Sequence, residues 1–384
     1  MKNRALVETL SGRLAEKSPL IQVLIGPRQV GKTTALKEVL KEKGLYKTAD
    51  YPTPLSSEIL IDWWKEAEAT QSRILAVDEI QKIVNWSDTV KYLWDRSENV
   101  KLILTGSSSL QVEKGLTETL AGRFELLRAE HWNLAEAKEI LNMDAEQFIE
   151  FGCYPGGVSF LKDISRWASF IRDSIVEPAI GRDLMQIHPI ENPALLRQIF
   201  GVAVSQPAQL VSLQKLQGSL QEKGTVPTIG NYLRLLSEAF LVTGIQKYSS
   251  AQIRVRKSIP KLIVHDNALC RAFEKPVREA ISGERFGRYF ENSIGARFIE
   301  AGWDTYYWKH RNLEVDFVVH GPENQKWAIE VKTGKTRKSE LKGLLEFCKL
   351  NTDFSPCLIS LSNQRIDGIE TIAYDQILSL SRNG

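Results

Sequence analysis

Gly26-Pro27-Arg28-Gln29-Val30-Gly31-Lys32-Thr33, with Thr34 behind it, is the stretch that decides the reading of this chain. It satisfies GxxxxGK[ST] in full. Glycines let the backbone wrap so that successive N–H groups point inward at phosphate oxygens. The apolar run Ile21–Ile25 before it reads as a strand, and Thr33–Lys43 after it as a helix. The positive end of that helix adds to the anion cradle. Lys32 is then set to neutralise β- and γ-phosphates, and the Thr33 hydroxyl to ligate Mg²⁺. A glycine turn between strand and helix, the bland alternative, requires neither side chain. Residues Gly26–Thr34 are therefore expected to hold a nucleoside triphosphate. The chain has no [NT]KxD guanine-reading sequence, which favours ATP over GTP.

Working outward, Ile74-Leu-Ala-Val-Asp78-Glu79 is an apolar run closing on two carboxylates. Asp78 at the strand's end is expected to hold Mg²⁺ through water, and Glu79 to polarise the attacking water. Lys101–Ser107 is a further strand ending in small polar residues, where the Ser107 hydroxyl is suited to sensing the γ-phosphate. Leu120-Ala-Gly-Arg123-Phe then opens the strand Phe124–Leu127. This looks like the AAA+ arrangement, in which Arg123 reaches the neighbouring subunit's nucleotide and stabilises transition-state charge in trans. The alternative is a surface arginine paired with a carboxylate. Strands alternating with helices imply an α/β fold, a parallel sheet covered on both faces.

Bulk properties bound the rest. With 384 residues the chain should divide into two or three domains. At 43% hydrophobic, 25% charged and net +3, total charge argues neither for nor against nucleic acid. Cys153, Cys270, Cys348 and Cys357 lack CxxC or matching histidine spacing, so they read as reduced thiols. The basic start through Arg4 is followed by Glu8, Arg13 and Glu16, not an apolar core of a signal peptide. No run approaches the length a membrane span needs, and a cytoplasmic protein is expected. Residues 1–131 read as the ATPase domain and 132–207 as a helical lid or linker with a turn at Gly152–Gly157. Residues 208–270 have a winged-helix pattern: helices at Leu210–Leu220 and Thr228–Ala239, then two β-like stretches. Residues 283–384 form a last α/β unit.

That last unit carries a second constellation. Leu313-Glu-Val-Asp316-Phe and Ile329-Glu330-Val-Lys332 are strand-like, and alternation puts Glu330 and Lys332 on one face. Asp316 and Glu330 on neighbouring strands, with Glu291 from the preceding helix, could bind Mg²⁺ against a phosphodiester while Lys332 activates water. This is the layout of PD-(D/E)xK nucleases, with Val315 where a proline usually precedes the aspartate. ExK alone says little, since Glu136-Ala-Lys138 also fits and reads as a helix surface. The alternative is a nuclease-like fold whose charges pair with one another and bind DNA without cutting.

Gly26–Thr34, Asp78-Glu79-Ile80-Gln81, Thr105-Gly106-Ser107-Ser108 and Ala121-Gly122-Arg123 resemble those of bacterial and archaeal AAA+-like ATPases. That family carries a winged helix and a C-terminal domain of unknown function related to restriction endonucleases, and the resemblance extends to Glu314-Val-Asp316-Phe and Ile329-Glu330-Val-Lys332. Where the family turn reads Gly-Gly-aromatic-Pro, this chain has Gly152-Cys-Tyr-Pro155. The resemblance implies ATP binding and a DNA connection, and the AAA+ likeness implies a homo-oligomer joined through the ATPase domain. Locally, residues 225–261 hold six Lys/Arg (Arg234, Lys247, Arg254, Arg256, Lys257, Lys261) against Glu238 alone, and Lys332–Lys342 is also basic. Such clusters suit DNA phosphates, although many are merely solvated faces. Two functions follow: an ATP-dependent DNA-processing enzyme, or an ATP-switched module whose nuclease-like domain only binds a partner.

Overall fold

The computed structural model describes the chain except residues 1–3, 18–19, 42, 97–99, 107–115, 117–118, 186–189, 223, 250–258, 363 and 383–384. The described residues up to Glu130 form one compact unit; His131–Met185 and Ile190–Arg382 form another. No helix among them is long and apolar enough to cross a membrane.

In the first unit, α1 (Ala5–Leu14) precedes β1 (Ile21–Ile25), α2 (Lys32–Leu40), β2 (Leu45–Thr48), α3 (Glu58–Glu68), β3 (Ile74–Asp78), α4 (Trp86–Trp94), β4 (Lys101–Gly106) and β5 (Phe124–Arg128). The strands form one parallel sheet in the order β2-β3-β4-β1-β5. All five residues of β1 are buried, as a strand covered on both faces requires. Trp63 and Trp64 of α3, with Trp86 and Val90 of α4, join the strands' Val23, Leu75 and Leu102 in one core. β1 lies between β4 and β5, so the loop that follows it opens at the C-terminal end of an inner strand. That end is where open α/β sheets bind ligands.

The second unit begins with α5 (Leu134–Leu141) and α6 (Ala145–Phe151), each opened by a reciprocal capping box, Asn133 with Glu136 and Asp144 with Gln147. Glu136 is thus committed to a helix cap. Gly152 ends α6 at φ 62° and Pro155 starts a further helical turn. The helical stretch expected as a lid or linker belongs, from His131 onward, to this second unit. Then follow α7 (Pro193–Ser205), β6 (Gln209–Leu210), α8 (Leu213–Ser219), α9 (Val226–Glu238), β7 (Val242–Lys247), β8 (Lys261–Val264) and α10 (Asn267–Arg271). The closing elements are α11 (Gly283–Glu300), β9 (Asp304–His310), β10 (Leu313–His320), β11 (Lys326–Lys332), α12 (Lys342–Leu350), β12 (Ser355–Ser360), β13 (Glu370–Ala373) and α13 (Tyr374–Leu378).

These two sets of strands are continuous. One eight-stranded sheet runs β13-β12-β11-β10-β9-β7-β8-β6, joined where β7 pairs in parallel with β9 through Gln246 and Lys247. The sequence gives no sign of this junction, because a parallel register between distant short strands leaves no local pattern. On one face Phe347 and Leu344 of α12 pack on Trp308, Val315, Val318 and Leu358.

Candidate functional site

The loop between β1 and α2 closes on itself. Gly26 lies so near Ala129 that a Cβ there would fall 2.2 Å from the Ala129 carbonyl oxygen. Gly31, the residue before α2, has φ 93°, a conformation that costs glycine little and other residues much. The buried Lys32 ammonium donates to the carbonyls of Gly26 at 2.9 Å and Pro27 at 2.7 Å. A phosphate entering the loop would draw those donors away from neutral carbonyls to charged oxygens. Arg4, just before α1, braces the loop from behind by donating to Val30 O at 2.7 Å and Glu130 O at 3.1 Å. The basic start of the chain thus includes a buried arginine that supports the loop. Pro27, Arg28 and Gln29 complete the turn, Gln29 with φ 58°.

Beside the loop, Asp78 is a hub of hydroxyls. Its Oδ2 accepts from the Thr33 hydroxyl at 2.7 Å and the Tyr46 hydroxyl at 2.8 Å, and its Oδ1 accepts from the Thr105 hydroxyl. A carboxylate with a threonine hydroxyl is the hard-oxygen donor set that Mg²⁺ takes, so these residues fit that ion. Burial, then the bond to Asp78, raises the Tyr46 hydroxyl far above the ordinary range, so it acts as a donor and stays protonated. Tyr46 is not singled out by sequence, and Thr105 stands in a quoted motif without being given a contact to Asp78. Tyr46 stands on a short, half-buried strand with no apolar run, and Thr105 is two residues before the serine the sequence favours.

Glu79 follows Asp78 in the left-handed region, φ 59°. For a non-glycine residue this conformation is uncommon and gathers at functional sites. Its N–H reaches the Thr105 hydroxyl at 3.4 Å, and its Oε2 accepts from Gln81 Nε2 at 2.6 Å. Ser107 lies outside the described residues. Arg123, just before β5, makes a two-pronged ion pair with Asp95, Nε–Oδ1 2.7 Å and Nη2–Oδ2 3.1 Å. Both side chains are about one-third or more exposed. The guanidinium holds the Asp95 carboxyl below its usual range.

In the second unit, β10 and β11 are antiparallel neighbours with Phe317 opposite Ile329. Asp316 Oδ2 accepts from Val331 N at 2.9 Å, and Lys332 Nζ stands 2.7 Å from Glu330 Oε1. Glu291 of α11 meets not a free gap but Lys261 of β8, Nζ–Oε1 2.5 Å. The same ammonium donates to the Asp316 carbonyl at 3.1 Å and lies 3.8 Å from Asp316 Oδ1. Burial pushes Glu330 up to about 8 and Glu291 up to about 7, with lysines pulling each back. Lys261 was counted from sequence among the cations available to DNA. It is instead 1% exposed, turned inward by three carboxyls. Lys335 and Arg337, after β11, are exposed.

Residues 18–138 match the family described as AAA domain. Residues 142–278 and 286–380 match two families described as domains of unknown function, DUF8612 and DUF4143. An uncharacterized protein of Methanocaldococcus jannaschii is 24% identical over 351 residues, 83% of this chain and 76% of that one. One of Haemophilus influenzae is 23% identical over 382 residues, 92% of each. Among solved structures, the Walker-type ATPase of Pyrococcus abyssi has TM-score 0.44 at 15% identity, covering 71% of this chain and 95% of that one. The Thermotoga maritima RuvB Holliday junction branch migration motor has TM-score 0.34 at 14% identity, covering 63% and 89%. The phosphate loop, the strand order and the family match together give this chain an AAA-type P-loop ATPase domain.

Proposed function

We propose that this chain binds and hydrolyses ATP with Mg²⁺ and, as a homo-oligomer, uses that cycle to control a DNA-binding region built on a nuclease-like scaffold. The observation that carries the ATPase reading is the contact of the loop's Thr33 with Asp78, with Glu79 next in the chain. Gly26–Thr34 would hold the triphosphate, Thr33 and Asp78 the metal, and Glu79 the attacking water. Ser107 is proposed to contact the γ-phosphate.

Arg123 is proposed to serve a neighbouring subunit, exchanging Asp95 for that subunit's nucleotide. An exposed ion pair contributes little stability, so the exchange is cheap. Mixing Arg123→Ala with Lys32→Ala protein should then restore ATPase activity that neither variant has alone, because some interfaces join an intact loop to an intact arginine. A mixture that stays inactive, with mixed oligomers confirmed by mass spectrometry, would mean Arg123 serves only its own fold.

For the second unit, the order α7-β6-α8-α9-β7-β8, with β6 and β7 on either side of β8, supports a winged helix over 208–270. Its wing would carry Arg254, Arg256 and Lys257, outside the described residues. The helix-strand-strand-strand-helix-strand run from α11 to β12 supports a PD-(D/E)xK-like scaffold. Two readings of its site compete. In one, Glu291, Asp316 and Glu330 hold Mg²⁺ and Lys332 activates water. In the other, lysines already balance the acids and the domain binds DNA without cutting. Lys261 favours the second: three carboxyls face two ammonium groups, and Lys261 stands between Glu291 and Asp316. A crystal soaked in Mn²⁺ should therefore show no anomalous peak near Asp316, and plasmid should stay uncut while DNA binding persists. Metal at that position, with nicking that Asp316→Asn abolishes while sparing ATP hydrolysis, would establish the nuclease reading instead.

A further inference from the structure

A buried polar pocket in the second unit uses none of the residues of either site. His131 immediately precedes Trp132 and α5, His265 and Asp266 follow β8, and Glu300 ends α11. All four are buried, at 2%, 7%, 7% and 8% exposure. They surround a cavity of about 30 Å³, room for one water or one ion. Among the described residues, His131, His265 and Glu300 are the one set of three His, Cys, Asp or Glu side chains whose donor atoms all lie within 4.8 Å of one another.

The hydrogen bonds around these rings leave one position wanting a positive charge. His131 Nε2 lies 3.3 Å from the Phe240 carbonyl, an acceptor only, so that nitrogen carries the proton. Nδ1 is then a bare lone pair, and it has no hydrogen-bond partner among the described residues. The polar atom it faces is Asp266 Oδ2 at 3.8 Å, also an acceptor. Both Asp266 oxygens are already engaged by backbone donors, Cys153 N at 2.9 Å and Ala268 N at 2.8 Å. Two acceptors facing each other away from water are costly unless something electropositive stands between them. His265 is oriented in the same manner, with Nε2 2.7 Å from the Thr243 hydroxyl and Nδ1 2.5 Å from Glu300 Oε1. An imidazole turned toward a common centre while its other nitrogen is fixed by a carbonyl or hydroxyl is the outer arrangement of metal-bound histidines. Arg297 also lines the cavity, donating to His131 O at 3.1 Å. Against its single charge stand two carboxylates, which leaves room for a cation.

We propose that His131, His265 and Glu300 bind Zn²⁺, with Asp266 facing the fourth position. Two imidazoles and a carboxylate are donors that zinc takes, and these are buried. Zinc about 2.0–2.2 Å from each donor sets the donors roughly 3.4 Å apart. The His265–Glu300 pair is closer than that and the His131–Asp266 pair wider, so each shifts by under an ångström. Binding takes the Nδ1 proton from between His265 and Glu300 and passes it to the buffer; the neutral imidazole keeps one proton, on Nε2, donating to the Thr243 hydroxyl. The ion would join the start of this unit, the end of β8 and the end of α11.

The test uses the full chain, free of any affinity tag and without nucleotide, loaded with Zn²⁺ and passed over a chelating resin. About one equivalent of zinc should stay bound, and Co²⁺ in its place should give the intense visible bands of a tetrahedral site. His131→Gln and His265→Gln should each lose the metal while keeping the wild-type circular dichroism. If either variant fails to fold, X-ray absorption on wild-type protein still decides, by showing two imidazole shells or none. Wild type that holds no stoichiometric zinc, octahedral Co²⁺, or a folded histidine variant that keeps its full zinc would each overturn the site.

Discussion

Lys32→Ala should lower the affinity of the full chain for ATP roughly a hundred-fold by calorimetry. Lys32 is the cation within the loop nearest the phosphate cradle, and each charge-assisted hydrogen bond it makes is worth about 1.5–3 kcal/mol. Two such bonds, to two phosphates, set the upper end. The free protein moderates the loss, because the ammonium already donates to Gly26 O and Pro27 O and must give those bonds up. In the variant the two carbonyls lose their donor without any ligand present, so the empty loop should also loosen. Thermal unfolding without nucleotide separates that effect from the loss of binding. Equal ATP affinity in variant and wild type would remove Gly26–Thr34 as the nucleotide site.

The parts of this site that were readable in the sequence are those held by consecutive residues. A phosphate loop is a local backbone shape, so its eight residues announce it. Asp78 and Glu79 are readable because an apolar strand must stop where carboxylates begin. Tyr46 and Thr105 reach Asp78 from two other strands, and nothing near either residue records that convergence. Lys261 shows the reverse failure. A count of positive charge along the chain cannot tell which way a strand residue faces, and here burial among carboxyls turns an apparent DNA contact into an internal cation. Glu330 and Lys332 stand side by side as strand alternation requires. What fills the space next to them depends on β8, some seventy residues earlier, and short-range periodicity carries no such information.

Glu79→Gln should bind ATP as wild type does and turn it over roughly 10²- to 10⁴-fold more slowly, the span that a positioned general base contributes. The substitution is conservative for this position. Glutamine keeps the length of the side chain, and its amide oxygen can still accept the 2.6 Å bond from Gln81 Nε2. The left-handed backbone at φ 59° is no harder for glutamine than for glutamate. What is lost is the negative charge that draws a proton from water. Asp78 is left untouched, with its hydroxyl partners Thr33, Tyr46 and Thr105, so Mg²⁺ and nucleotide should still load. The measurement is therefore a pair: nucleotide affinity by calorimetry and phosphate release under saturating ATP. Retained binding with turnover lost identifies Glu79 as the group that activates water. Undiminished turnover would move that role to another residue. Loss of binding together with turnover would mean that the Glu79 carboxylate is needed to hold the nucleotide as well, since the backbone N–H that reaches the Thr105 hydroxyl at 3.4 Å is unchanged by the substitution.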